Sequence, residues 1–191
     1  METSMRKLGM FNNVSADGYF VDAKGDMSWA HSKPDAEWNA FVEGNASGEG
    51  ELLFGRITYD MMASFWPTVQ AMKNMPTVAA GMNRRTKVVF SRRMDKASWN
   101  NTKVVKGELV AEVRKMKQAS GPHMVILGSG SIVSQLAAEG LIDEFQFAVK
   151  PVVLGKGRTL FEDVKEKLEL KLTKSRVFGN GSVVLWYEPA K

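Results

Sequence analysis

Residues 124–131, MVILGSGS, constrain the fold of this chain more than any other segment. Met124 to Leu127 is a four-residue apolar run, too short for a buried helix, and reads as a strand covered on both faces. Gly128-Ser129-Gly130-Ser131 follows at once, leaving no length for a loop. Ile132, Val133, Leu136 and Ala137 then recur at helical spacing until Gly140. A strand that passes directly into a helix is half of a βα crossover, so the chain must build a parallel sheet with helices packed on it.

The remaining segments fit that frame. Arg6 to Ser15 reads as a first strand, followed by a turn at Asp17-Gly18, a short extended piece at Tyr19 to Val21 and a turn over Asp22 to Gly25. Ser32-Lys33-Pro34-Asp35 has the form of a helix start, with serine as cap, and Gly44, Gly48 and Gly50 are expected to end that helix. Glu51 to Phe54, Lys87 to Phe90, Thr102 to Lys106 and Glu144 to Val153 are further strands. Helices are expected from Thr58 to Trp66 and from Glu108 to Gln118, with only a helical turn near Val78 to Met82 in the stretch between 68 and 83. Asn180-Gly181 joins a strand from Leu168 to Phe178 to a return strand from Ser182 to Glu188. The expected fold is therefore a single α/β domain, residues 1–191, of three layers. Its eight-stranded sheet is mostly parallel, closes with an antiparallel C-terminal hairpin and is flanked by helices.

Composition removes whole classes of chemistry. The chain has no cysteine, which excludes disulfides, thiolate nucleophiles, iron–sulfur clusters and cysteine-bound zinc. Two histidines, His31 and His123, cannot form a three-histidine metal site, and no metal is expected. No apolar run approaches the ~20 residues of a membrane span, and the N-terminus lacks an apolar signal region, so a cytoplasmic protein without membrane attachment is expected. A net charge of +5 suits an anionic small-molecule ligand. The basic stretch from Arg84 to Lys96 has little aromatic interleaving, and nucleic acid is not an expected partner.

Three predicted strand ends carry the candidate chemistry: Gly55-Arg56-Ile57-Thr58, Ser91-Arg92-Arg93, and Gly128 to Ser131. Ligands of parallel sheets sit at the carboxyl ends of the strands, where helix N-termini offer free N–H groups to phosphate. Glycine lets the backbone approach a ligand closely, and arginine binds phosphate in a forked geometry. Each feature also has a plain alternative: a tight strand-to-helix turn, or a solvated surface arginine. Val133 stands where a dinucleotide fingerprint would place its third glycine, and no acid follows the next strand, so an ordinary Rossmann site is disfavoured. Taken together, the three strand ends suggest a dinucleotide bearing an extra phosphate, NADPH before NADH.

Leu53 to Tyr59, Val88 to Arg92 and Val125 to Gln135 resemble the cofactor segments of dihydrofolate reductase. Ser15-Ala16-Asp17-Gly18, Gly25 to Trp29 and Val149 to Phe161 are closer to the reductase domain of the riboflavin-pathway deaminase-reductase, and the likeness spans about residues 6 to 188. The resemblance implies an NADPH-dependent reductase acting on a small heterocyclic or phosphoribosylamino substrate, nearest to 5-amino-6-(5-phosphoribosylamino)uracil reductase. Dihydrofolate reduction and a non-catalytic nucleotide-binding module are the alternatives. It also implies roles. Gly55, Arg56 and Thr58 would hold adenosine phosphates, Ser91 and Arg92 the 2′-phosphate, and Gly128, Ser129, Gly130 and Ser131 the pyrophosphate. The backbone near Asn13 would face the nicotinamide, and Ser15, Asp17 and Trp29 would meet the substrate. Asp35 stands where dihydrofolate reductase carries its buried acid and is the expected catalytic proton donor; the plain alternative is a first-turn acid favoured by the helix dipole. The threonine that partners this acid in dihydrofolate reductase is replaced by Ala148, which weighs against folate. A homodimer is expected, since the resembled domain pairs and Phe145, Phe147, Val184, Leu185 and Trp186 read as an apolar edge region.

Overall fold

The computed structural model describes residues 5–31 and 33–190. Ten strands run in chain order as β1 (Leu8–Ser15), β2 (Val21–Asp22), β3 (Glu51–Gly55), β4 (Lys87–Phe90), β5 (Thr102–Val105), β6 (Met124–Leu127), β7 (Glu144–Lys150), β8 (Gly157–Arg158), β9 (Leu170–Val177) and β10 (Val183–Pro189). Six helices accompany them: α1 (Ala36–Ser47), α2 (Arg56–Phe65), α3 (Val69–Asn74), α4 (Pro76–Arg84), α5 (Leu109–Gln118) and α6 (Gly130–Ala138). Eight strands form one sheet in the order β5-β4-β3-β6-β1-β7-β10-β9, and β2 pairs with β8 in a small separate ribbon. Every pair from β5 through to β7 is parallel, and β10 runs antiparallel to both of its neighbours. This is the expected three-layer fold.

Strand alternation divides the core. Leu53, Val88, Met124 and Ile126 turn to the face covered by Val113 of α5 and by Ile132, Val133 and Leu136 of α6. Leu52, Phe54 and Val89 turn to the other face, against Ala46 of α1, Tyr59 of α2 and Val78 and Met82 of α4. Phe11, on that same second face, packs with Trp38 and Phe41 of α1 and with Phe178 and Trp186 of the hairpin. The helical layer over the second face determines where a cavity can open.

Several boundaries differ from the sequence reading, each for a local reason. The stretch from 68 to 83 holds two helices. The Thr68 side chain caps α3 by accepting from the Ala71 amide, and Pro76 opens α4 in its first turn. Helix α1 runs through Gly44 to Ser47, because Ala46 is needed in the core beneath Gly81 of α4. Its cap is Asp35, and the expected cap Ser32 lies outside the described residues. The expected apolar edge is also corrected. Strand β7 lies between β1 and β10, with Phe145 and Val184 fully buried, and the sheet's two edges are β5 and the exposed β9. A reading of composition cannot distinguish a central apolar strand from an edge one until the strand order is known.

Lys87 begins β4 with its side chain in the core, 0% exposed. Its ammonium donates to the carbonyls of Met82 (3.1 Å) and Asn83 (3.0 Å) at the end of α4 and lies 4.4 Å from the Trp99 ring centre. It thereby serves the helix's last carbonyls, but no carboxylate compensates its charge, and burial lowers its pKa from 10.5 to about 8. The unfolded chain therefore binds more protons than the folded one between pH ~8 and ~10.5, and Lys87 adds stability as pH rises through that window. In urea denaturation, wild type should gain stability relative to Lys87→Met between pH 8 and pH 10. A pH-independent difference between the two would show that the ammonium is not depressed.

Candidate active site

The site is built where α2 and α6 begin. Strands β3 and β6 are parallel neighbours, so the turns that follow them, at Gly55 and at Gly128-Ser129, lie side by side. Each turn runs into a helix N-terminus without a side-chain cap. The turns are joined by two hydrogen bonds: the Gly55 amide donates to Ser129 Oγ (2.9 Å), and the Ser129 amide donates to Thr58 Oγ1 (3.1 Å). Gly128 has φ +63°, and Ser129, although not glycine, is also left-handed with φ 55° and ψ 57°. Strain of this kind persists only where surrounding contacts impose it, and it gathers at ligand-binding turns. Here the imposing contacts are those two bonds.

The result is a shallow cradle floored by backbone. A side chain at Gly128 would sit 2.9 Å from Thr58 Cγ2, and one at Gly130 would meet the Phe20 ring at 3.0 Å. Two helix N-termini converging on one place concentrate positive partial charge and free N–H groups, which fits a pyrophosphate. Arg56 stands at the rim, half exposed, paired to Asp60 one turn along at 3.0 Å. Strand β4, next to β3, brings the Ser91 turn to the same end of the sheet. The Ser91 hydroxyl accepts from the amides of Met94 (3.1 Å) and Arg93 (3.3 Å), and Arg92 is exposed. All three predicted cofactor segments thus follow three adjacent strands, β4, β3 and β6, in register.

A cavity of about 280 Å³ adjoins the cradle at Gly128 and lies between the second face of the sheet and helices α1, α2 and α4. Its walls are mainly apolar, including Phe11, Val42, Met62, Trp66 and Val78. Asn12, Asn13 and Gln146 also line it, as does Met27 of the loop before α1. Gln146 and Trp66 were not anticipated. The adjacent asparagines of the first strand were the available signal, since amides in an otherwise apolar central strand must find a partner.

The expected substrate residues divide differently. Asp17 binds the 150s loop, its carboxylate accepting from the amides of Leu154 (3.1 Å) and Gly155 (2.8 Å). The Ser15 hydroxyl, and then these amides, hold its pKa down at about 2. Ser15 Oγ also accepts from the Tyr19 amide, and Trp29 Nε1 donates to the Asp26 carbonyl. All three residues order the loops over the carboxyl end of β1 and do not line the cavity. Asp35 is outside the cavity wall too: its carboxylate caps α1 by accepting from the Trp38 amide at 2.7 Å. Beside it Lys150, 3% exposed, lies 3.5 Å from the Trp38 ring centre and 3.2 Å from Ser182 Oγ, and burial lowers its pKa to about 8. Among the described residues no cluster of three or more potential metal ligands occurs, and no helix is long and apolar enough to cross a membrane.

The arrangement has a dihydrofolate reductase-like fold, with the candidate site at the carboxyl ends of the parallel strands. More narrowly, the chain belongs to the RibD C-terminal domain family, whose model matches residues 6–184. It is 28% identical over 174 residues to YyaP of Bacillus subtilis, covering 91% of this chain and 90% of that one. It is 25% identical over 174 residues to YwjB of the same organism, covering 91% and 93%, and both relatives are uncharacterized. A crystal structure from Shewanella sp. PV-4, provisionally named a riboflavin biosynthesis protein, matches with a TM-score of 0.74 at 25% identity over 97% of this chain and 99% of that one. Dihydrofolate reductase from Enterococcus faecalis, solved with NADP(H) and an inhibitor, RAB-propyl, shares the fold with a TM-score of 0.63 at 14% identity over 97% of both chains.

The cradle's dependence on glycine is directly testable. Gly128→Ala should destabilise the protein by about 2–4 kcal/mol in chemical denaturation, from a left-handed Cβ and its clash with Thr58. A change below about 0.5 kcal/mol would mean that the turn relaxes freely and is not held by Ser129 and Thr58.

Proposed function

We propose that this chain is an NADPH-dependent reductase of the riboflavin type, reducing a small heterocyclic or phosphoribosylamino substrate. The observation that carries the reading is the junction of two uncapped helix N-termini, bound to each other through Thr58 and Ser129, beside an amide-bearing apolar cavity. The residues fit the cofactor. The amides that open α2 and α6 would hold the pyrophosphate, with Gly128 and Gly130 allowing Thr58 and Phe20 to pack against the turn that presents those amides and Arg56 adding charge at the rim. Ser91 and Arg92 would meet the 2′-phosphate. When bound, NADPH supplies the hydride.

The chain's own residues do the remaining work. Phe11, Val42, Trp66 and the methionines exclude water from the reacting ring, which strengthens every electrostatic interaction inside. The Asp17 clamp fixes the loop between β7 and β8 against the turn that follows β1, closing the carboxyl end of that strand. The family membership and the Shewanella structure support a riboflavin-type reaction over folate reduction. Asp35 is held by the helix it caps, and Ala148 is packed in the core with Phe178 and Val184, leaving no acid–hydroxyl pair of the folate type.

Calorimetry tests the cofactor assignment. NADPH should bind with NADH clearly weaker, and Arg92→Ala should weaken NADPH by about 1.5–3 kcal/mol while sparing NADH. Equal affinities for the two cofactors in wild type, or no binding of either, would sink the proposal.

A further inference from the structure

The described residues contain four buried side-chain polar atoms without a hydrogen-bond partner: Asn12 Oδ1, Asn13 Oδ1, Gln146 Nε2 and Asn180 Nδ2. Two of them, Asn13 Oδ1 and Gln146 Nε2, belong to cavity-lining residues whose side chains turn to the cavity face. Unpaired buried amides cost about 1–3 kcal/mol each, and a core this size could replace them with apolar side chains at no loss. Their concentration at one cavity therefore calls for a ligand.

Their placement indicates what that ligand offers. In the parallel pairing of β1 and β7, Phe11 is opposite Gln146 and Asn13 is opposite Ala148. Side chains alternate along a strand, so Phe11, Asn13, Gln146 and Ala148 share the second face, the one on which the cavity opens. Asn12 turns to the other face, where its Nδ2 meets Met10 Sδ at 3.4 Å. Asn13 and Gln146 are thus neighbouring amides on one wall, Asn13 with an unused acceptor oxygen and Gln146 with an unused donor nitrogen. Two such groups match the edge of an amide, lactam or imide, which presents an N–H beside a C=O.

Most of the rest of the wall fits an apolar body; Asn45 and Glu49 also line it, and both are exposed to solvent. Phe11, Val42, Met62, Val78, Met82 and Leu127 offer no polar side-chain partner beyond weakly accepting sulfur. Arg85 is occupied, donating to the carbonyls of Gly50 (2.9 Å) and Asn45 (3.5 Å), where it ties the end of α1 to the start of β3. Exposed apolar side chains adjoin the cavity on the side of α2. Met61 lines it and lies between Ile57 and Phe65 on a stripe of α2 with spacing of four, and all three are exposed.

We infer that Asn13 and Gln146 determine specificity in this cavity by pairing with the amide edge of a neutral, mainly apolar planar ring. The inference rests on the reductase reading for its placement beside the cofactor cradle, but the binding it asserts does not require cofactor.

Three probes test it by calorimetry on the full chain: quinazolin-4-one, which has the edge; naphthalene, which has the shape without the edge; and ribose 5-phosphate, an anion. Wild type should bind quinazolin-4-one, and Gln146→Met should weaken it by about tenfold. Naphthalene and NADPH affinities should stay within about twofold of wild type in the same variant. Asn13→Ser provides a second arm and should weaken quinazolin-4-one in the same direction. Failure of wild type to bind quinazolin-4-one, an unchanged affinity in both variants, or preference for ribose 5-phosphate would overturn the inference. A parallel loss of NADPH affinity would also overturn it, by assigning the amides to the nicotinamide. Quinazolin-4-one binding without NADPH binding would leave this inference standing and remove the reductase reading.

Discussion

The hydrogen bonds among Gly55, Thr58 and Ser129 are the constraint on which the site depends. They join two βα turns that parallel pairing of β3 and β6 has already brought side by side. Ser129 gives up its backbone preference to make them, adopting a left-handed conformation that ordinarily costs an L-residue about 1–2 kcal/mol. In return neither helix spends a side chain on its own cap, which leaves the amides of Gly130 and Ser131 and those opening α2 uncapped by side chains. An aspartate in place of Gly55, or the Ser129 hydroxyl turned to its own helix, would stabilise the helices and close the cradle. Function and local stability are opposed at these few residues, and the buried strands beneath supply the difference.

The cavity follows from the same geometry. Helix α1 must span from the carboxyl end of the sheet, where Asp35 caps it, to the amino end, where β3 begins. Helix α4 packs closely on it, since a Cβ on Gly81 would lie 2.2 Å from the Ala46 carbonyl oxygen. With those two helices fixed to each other, the space between them, α2 and the strands β1 and β6 is left to long flexible side chains. Met61, Met62 and Met82 border it. Methionine adapts to irregular gaps and to ligands of varied shape, which suits a wall that must reshape around a ring.

Much of this was legible in the sequence. The apolar run of Met124 to Leu127 and the glycines after it fixed the βα unit, and the three strand ends expected to carry cofactor do follow adjacent strands. What sequence could not supply was order across the sheet and the partner of each polar group. Strand β7 reads as apolar whether central or at an edge, and only its pairing with both β1 and β10 decides. Asp35 carries the composition of a helix start in either reading, and only the structure shows its carboxylate bound to the Trp38 amide as the cap of α1. Gln146 is unremarkable between two phenylalanines until β1 places it beside Asn13. Lys87 and Lys150 look like strand-flanking charges in the chain, yet both are buried, because the carbonyls ending α4 and the Trp38 face receive them.

The central claim is that the paired helix N-termini bind the cofactor's pyrophosphate. Amide chemical shifts followed by ¹H–¹⁵N NMR during a titration with NADPH test it most directly. The largest shifts should fall on the amides of residues 56–58, 130 and 131, saturating at one equivalent. Saturable binding whose shifts fall on other segments, with these amides unmoved, would contradict it.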